Sequence, residues 1–174
     1  MKNYTFYGCD HENDCGWGCG YRSIQNVFIY YGKQHPDFSE ICKTCEIKYS
    51  GKLEFASHEI IKKVVCENEG FKWKEHFVRN FNEFEKIGFL PGSISILIHD
   101  GAIYCMVHEN NGLQIIDPHV YTKCSTIPSF SYENGGIGEI DPKFFLTRNM
   151  HLYGKTENDD FIEEAYLLNI ECLE

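Results

Sequence analysis

The sequence predicts an α+β fold, with N-terminal helices packed on a mainly antiparallel sheet built from the second half. Two observations carry this. Apolar residues recur with a helical period in the segments before Gly70, and strand-like runs separated by turn residues follow from Ser93 onward. Helices first and a sheet second is the α+β order. The five prolines are scattered, and no repeat or Pro/Ser-rich linker divides the 174 residues, so positions 1–174 are expected to form one domain.

The elements follow in order. From Cys19 to Tyr31, the residues Ile24, Val27, Phe28 and Tyr31 fall at i, i+3, i+4 and i+7, an amphipathic helix stopped by Gly32. A second helix is predicted from Phe38 to Ile47 with Asp37 as N-cap, and a third from Ser57 to Glu69, ended by Gly70. A short fourth begins near Asn82. Strands are predicted at Ser93–Ile98, Ala102–His108 and Leu113–Asp117, joined by turns at Asp100-Gly101 and Asn110-Asn111-Gly112. Asn134-Gly135-Gly136 marks a loop, and Phe161–Cys172 fits either a strand or a helix.

Composition narrows the function. With 16 Lys and Arg against 26 Asp and Glu, the net charge of −10 gives no basic face for nucleic-acid phosphates. Hydrophobic residues at 43% exclude intrinsic disorder. No apolar run is long enough to span a bilayer, and the first residues lack the apolar core of a signal peptide, so no membrane insertion is expected and the location is expected to be cytoplasmic or nuclear. The acidic run Glu157–Asp160 with Glu163 and Glu164 fits a solvated face.

Nine cysteines, an odd number without an export signal, argue against a disulfide framework and for mostly reduced thiols. Cys9, Cys15, Cys42 and Cys45 can be drawn as a zinc site. Cys42 and Cys45, however, sit at i, i+3 on an apolar helix face beside Phe38 and Ile41, which is core spacing, so neither metal nor cofactor is expected.

The chemistry concentrates in Asp14-Cys15-Gly16-Trp17-Gly18-Cys19-Gly20-Tyr21-Arg22-Ser23. Cys19 opens the first helix, where the macrodipole and unpaired amides favour a thiolate. The flanking glycines keep the approach to its sulfur open. A buried cysteine in a glycine turn fits this segment equally well, and Asp117-Pro118-His119 tips the balance. A cysteine nucleophile needs an imidazole to take and return its proton, and a carboxylate to orient that imidazole. Asp117 and His119, two apart at a strand end, project to one face, with Pro118 stiffening the link. A helix-start cysteine facing a strand-end histidine is the architecture of papain-like proteases. His99 and His108 lie on the same meander and are the alternative bases; the remaining histidines stand alone.

Gly-Trp-Gly-Cys-Gly-Tyr-Arg-Ser after an acidic residue, a hydrophobic strand ending in Asp-Pro-His, and Tyr7-Gly8-Cys9-Asp10 with its tyrosine twelve residues before Cys19 together resemble the ubiquitin-fold-modifier-specific proteases. By length the chain resembles their short form, a single papain-like catalytic peptidase domain. The resemblance implies Cys19 as nucleophile, His119 as general base and acid, Asp117 as its orienting carboxylate and Tyr7 as oxyanion donor beside the Cys19 amide. It implies a narrow substrate slot at Trp17, Gly18 and Gly20 that selects glycine. Arg22 and Gln25 extend the likeness, Gln25 as a structural hydrogen-bonder. The reaction implied is hydrolysis after the C-terminal glycine of a ubiquitin-like modifier, either maturing its precursor or freeing it from conjugates, by a monomer without a cofactor. Relatives place a tyrosine directly after Asp-Pro-His, where this chain has Val120 and then Tyr121. Where they carry a histidine in the preceding strand, it has Ala102-Ile103-Tyr104-Cys105. The alternatives on the same fold are a deubiquitinase, a protease of an autophagy modifier, or a catalytically silent modifier-binding module.

Overall fold

The computed structural model describes residues 3–54, 56–99, 102–110, 112–120, 137–139 and 161–173. The turn at Asp100-Gly101, Asn111, the loop Asn134-Gly135-Gly136 and the acidic run at 157–160 lie outside them. Among the described residues no helix is long and apolar enough to cross a membrane.

Three helices come first: α1 (Cys19–Tyr30), α2 (Phe38–Thr44) and α3 (His58–Cys66). Their starts follow the capping chemistry of the sequence. The Asp37 carboxylate accepts from the Glu40 amide at 2.7 Å and the Glu40 carboxylate from the Asp37 amide at 2.9 Å, a reciprocal box that opens α2. Ser57 Oγ accepts from the Ile60 amide at 3.3 Å to open α3. Gly32 ends α1 with φ +68, a conformation that disfavours side chains bearing a Cβ. Both α2 and α3 are shorter than the apolar pattern predicts: α2 stops at Thr44, with Glu46 at φ +58, and α3 at Cys66.

The remaining elements are β1 (Phe71–Asn80), α4 (Phe81–Glu85), β2 (Ser93–His99), β3 (Ala102–Glu109), β4 (Gly112–Ile116), a 3₁₀ turn (Pro118–Val120), β5 (Ile137–Glu139) and β6 (Phe161–Cys172). The strands form one six-stranded sheet in the order β1-β6-β2-β3-β4-β5, with every pairing antiparallel. The ambiguous C-terminal segment is therefore a strand in the interior of the sheet. Its register sets Ile170 opposite Ile94 and Leu168 opposite Ile96.

The central strands of this sheet are buried on both faces. Ile94, Ile96, Ile103, Cys105, Val107, Leu168 and Ile170 meet Ile24, Val27, Phe28, Ile61 and Val65 from the helices. On the other face Leu97, Tyr104, Met106, Ile115 and Leu167 are covered by Phe84 of α4 together with Ile87 and Phe89. Each fully buried Ile, Leu or Val contributes roughly 1.5–3 kcal/mol. Helix α1 lies mainly on β3 and β2, which aims its N-terminus at the sheet end where β4 runs into the 3₁₀ turn.

Candidate active site

Cys19 is the first residue of α1 and is buried. Its helix start is built by Asp14, whose backbone carbonyl accepts from the amides of Gly18 at 2.8 Å and Trp17 at 3.2 Å. Gly18 is packed against that same residue: a Cβ there would stand 2.5 Å from Asp14 Oδ2. A Cβ on Gly20 would stand 2.5 Å from the Ala56 methyl and 2.9 Å from Ile103 Cδ1. Trp17 is buried, with its ring against Tyr21 and Phe38 and its indole N–H donating to the Asn13 carbonyl at 3.1 Å. These three residues, expected to line a slot, thus each have an internal packing partner that accounts for their size.

β4 ends at Ile116, one residue earlier than the sequence pattern predicts. Pro118 has no amide to continue the ladder, and the chain turns through the 3₁₀ segment. Asp117 and His119 therefore meet across a turn instead of along a strand. The carboxylate Oδ1 of Asp117 accepts from the His119 amide at 3.0 Å and lies 2.6 Å from His119 Nδ1. Asp117 is buried. The imidazole also lies close enough to Cys19 for the thiol to act on its protonation. Burial works against a charged ring, but the hydrogen bonds and charges of Asp117 and Cys19 outweigh it, and His119 is pushed up to about 10.

Two aromatic rings wall the imidazole: Tyr7 edge-on with centroids 5.3 Å apart, and Tyr104 from β3 at 5.0 Å. Sequence reasoning missed Tyr104, because only the β3–β4 pairing brings that strand beside the turn. Tyr7 reaches the cluster from the N-terminal segment, its amide donating to the Pro118 carbonyl at 3.0 Å. Its hydroxyl lies beside Cys19, near enough for both the thiol and the backbone amide to act on it. Burial first, then the charge and hydrogen bond of Cys19 and the charge of Asp14, hold the phenol well above its ordinary range, so it remains a donor.

Cys19, His119, Asp117 and Tyr7 thus converge. The histidines weighed as alternative bases do not both bear description: the His99 side chain lies outside the described residues, and His108 is engaged elsewhere. Its Nε2 lies 2.8 Å from Ser95 Oγ, its ring stacks on Phe89 at 3.9 Å, and it stands four residues along β3 from Tyr104, on the order of 13 Å.

Among the described residues no group of three or more side chains could hold a metal ion. Cys42 is buried with Phe38 and Ile41, and Cys9 lies 3.4 Å from the Arg22 guanidinium. Cys9, Cys19, Cys42, Cys45, Cys66, Cys105 and Cys172 are free thiols, whereas Cys15 is disulfide-bonded. A groove of about 860 Å³ opens on the opposite side of the sheet, where Lys74, His76, Arg79, Ile87 and Leu90 line it; none of the four clustered residues does.

Three helices on one face of an antiparallel sheet, with a helix-start cysteine beside a histidine just past a strand, make this an α+β fold of the papain-like class. No protein-family model matches the chain. In sequence and in fold it resembles the ubiquitin-fold-modifier-specific proteases. A probable Ufm1-specific protease 1 from Drosophila melanogaster is 24% identical over 145 residues, covering 67% of this chain and 61% of the relative. The Ufm1-specific protease 1 of Mus musculus is 52% identical over 31 residues, covering 18% of this chain and 14% of that protein. The crystal structure of UfSP from C. elegans matches with a TM-score of 0.60 at 18% identity, covering 98% of this chain and 33% of that one. The chain therefore spans about three-fifths of the fruit-fly relative and a third of the solved one.

Proposed function

We propose that this protein is a cysteine peptidase that hydrolyses the bond after the C-terminal glycine of a ubiquitin-like modifier, of the ubiquitin-fold-modifier type. The observation that carries this is the convergence of Cys19, His119, Asp117 and Tyr7 at the start of α1. The likeness to Ufm1-specific proteases supports the substrate class.

In the proposed reaction Cys19 gives its thiol proton to His119 and its Sγ attacks the glycine carbonyl carbon, forming a C–S bond. The oxyanion accepts from the Tyr7 hydroxyl and the Cys19 amide, and one such donor is worth roughly 10²–10³ in turnover. His119, protonated and oriented by Asp117, gives its proton to the leaving amine as the C–N bond breaks. A water then loses its proton to His119 and attacks the thioester. The modifier leaves with a free carboxylate, and Cys19 regains its proton.

The test uses mature modifiers carrying a C-terminal thiol-reactive warhead: the ubiquitin-fold modifier, ubiquitin and an autophagy modifier side by side, with Cys19→Ala as control. A covalent adduct with the first, absent in Cys19→Ala, is the expected result. An adduct only with another modifier overturns the substrate. A folded protein that labels with none overturns the peptidase proposal and favours a silent binding module.

A further inference from the structure

An oxyanion donor is useful only if it is held, and the segment that carries Tyr7 has no ladder to hold it. Residues 7–10 form a turn, with Gly8 at φ +70 and the following His11 at φ +69. Three ties fix it. The Tyr7 amide donates to the Pro118 carbonyl, as described above. The Gly8 amide donates to Asp14 Oδ1 at 2.7 Å. Asp10 accepts a two-pronged pair from Arg22, Nη1 to Oδ2 at 2.7 Å and Nη2 to Oδ1 at 2.6 Å.

Arg22 is the centre of this arrangement. It lies three residues beyond Cys19 on α1, and its side chain is fully buried. Its Nε donates to Asp14 Oδ2 at 2.6 Å, its Nη1 also to Gln25 Oε1 at 3.1 Å, and its guanidinium carbon lies 4.5 Å from the centre of the Phe38 ring. One guanidinium thus clamps both ends of the stretch from Asp10 to Asp14 onto the helix that begins with the nucleophile. Burying these charges is costly, and well-packed apolar groups of equal volume often stabilise a fold as well or better. What apolar packing lacks is direction. The planar fork sets both the distance and the angle of the turn against α1.

We propose that Arg22, acting through Asp14 and Asp10, is a positioning residue for the Tyr7 hydroxyl, fixing the oxyanion donor over Cys19. The proposal rests on the peptidase function above and adds to it the group that sets the donor's geometry. The consequence is selective: a reaction at Cys19 that develops an oxyanion depends on the clamp, and one that does not is indifferent to it.

Two reactions at the same sulfur separate these. Acylation by p-nitrophenyl acetate passes through a tetrahedral oxyanion, while alkylation by iodoacetamide does not. Both rates are assigned to Cys19 by subtracting those of Cys19→Ala, and melting temperature checks the fold. Asp10→Asn, at the half-exposed end of the clamp, is expected to slow acylation about tenfold with alkylation within about twofold. Arg22→Lys, which replaces the fork by a point charge, is expected to slow acylation roughly a hundredfold where it folds. In a Tyr7→Phe background Asp10→Asn is expected to cost nothing further, because its target is gone. Equal effects on both reactions, or losses that multiply with Tyr7→Phe, overturn the positioning role and leave the peptidase proposal standing. A wild-type protein whose Cys19 alkylates but does not acylate overturns both.

Discussion

His108 on β3 offers a direct way to separate a structural histidine from the proposed base, His119, in the 3₁₀ turn after β4. Its ring is buried against Phe89 and Ser95, and burial alone pushes it down from 6.5 to about 4. An unfolded chain therefore takes up this proton first as the solution is acidified. Between pH 6.5 and 4 the unfolded state holds more protons, so stability is present above that window and drains away as pH falls through it. The full difference corresponds to about 3 kcal/mol, of which about 2 kcal/mol is lost between pH 7 and pH 5. For a chain of this size that is a fall in melting temperature of roughly 4–8 °C. The perturbation is His108→Gln, which keeps a polar partner for Ser95 and cannot take up the proton. Urea midpoints of both proteins at pH 7 and pH 5 give the contribution of this one group by difference, so that other titrating residues cancel. The wild type should lose about 2 kcal/mol more than the variant, and peptidase activity at pH 7 should be retained. Parallel losses in the two proteins refute the buried-neutral assignment. Abolished activity in folded His108→Gln refutes His119 as the sole base.

Asp117→Asn tests the opposite titration. His119 is raised when folded, to about 10, so its contribution is fully present below pH 6.5 and is lost as pH rises from there through about 10. The stability gap between wild type and Asp117→Asn should accordingly be wider at pH 6 than at pH 9, by at most about 3 kcal/mol, in denaturation midpoints; an equal gap contradicts the Asp117 tie. Gly18→Ala places a methyl 2.5 Å from a carboxylate held on one side by the Gly8 amide and on the other by Arg22. It should destabilise by about 1–3 kcal/mol in urea unfolding. Gly88→Ala, where a Cβ meets nothing within 4 Å, should be neutral or slightly stabilising, and equal losses in the two would dismiss the contact with Asp14 as the cause.

The features legible in the sequence are those made by residues close together in the chain. A cap such as Asp37 or Ser57 acts within three residues, and the stripe Ile24, Val27, Phe28, Tyr31 repeats within one helix. Cys19 at a helix start and the Asp117–His119 bond two residues apart belong to the same class. Cys19, Asp117 and His119 are therefore legible in the sequence itself. The resemblance to a protease family supplied Tyr7, which no local rule would have placed.

What only the tertiary structure decided depends on partners far apart in sequence. The segment Phe71–Asn80 mixes aromatics with four charged residues and reads as no strand by itself, and Phe161–Cys172 fits two periods equally well. Each becomes a strand because it pairs with the other, across roughly a hundred residues, and because β6 also pairs with β2. Burial pattern cannot fix such pairing, since the energy that selects it belongs to neither segment alone. The Arg22 clamp has the same origin. The sequence shows an arginine on an apolar helix and two nearby acids; the fold, by burying the guanidinium, leaves those carboxylates as its charge partners and turns three scattered charges into one rigid piece beside Cys19.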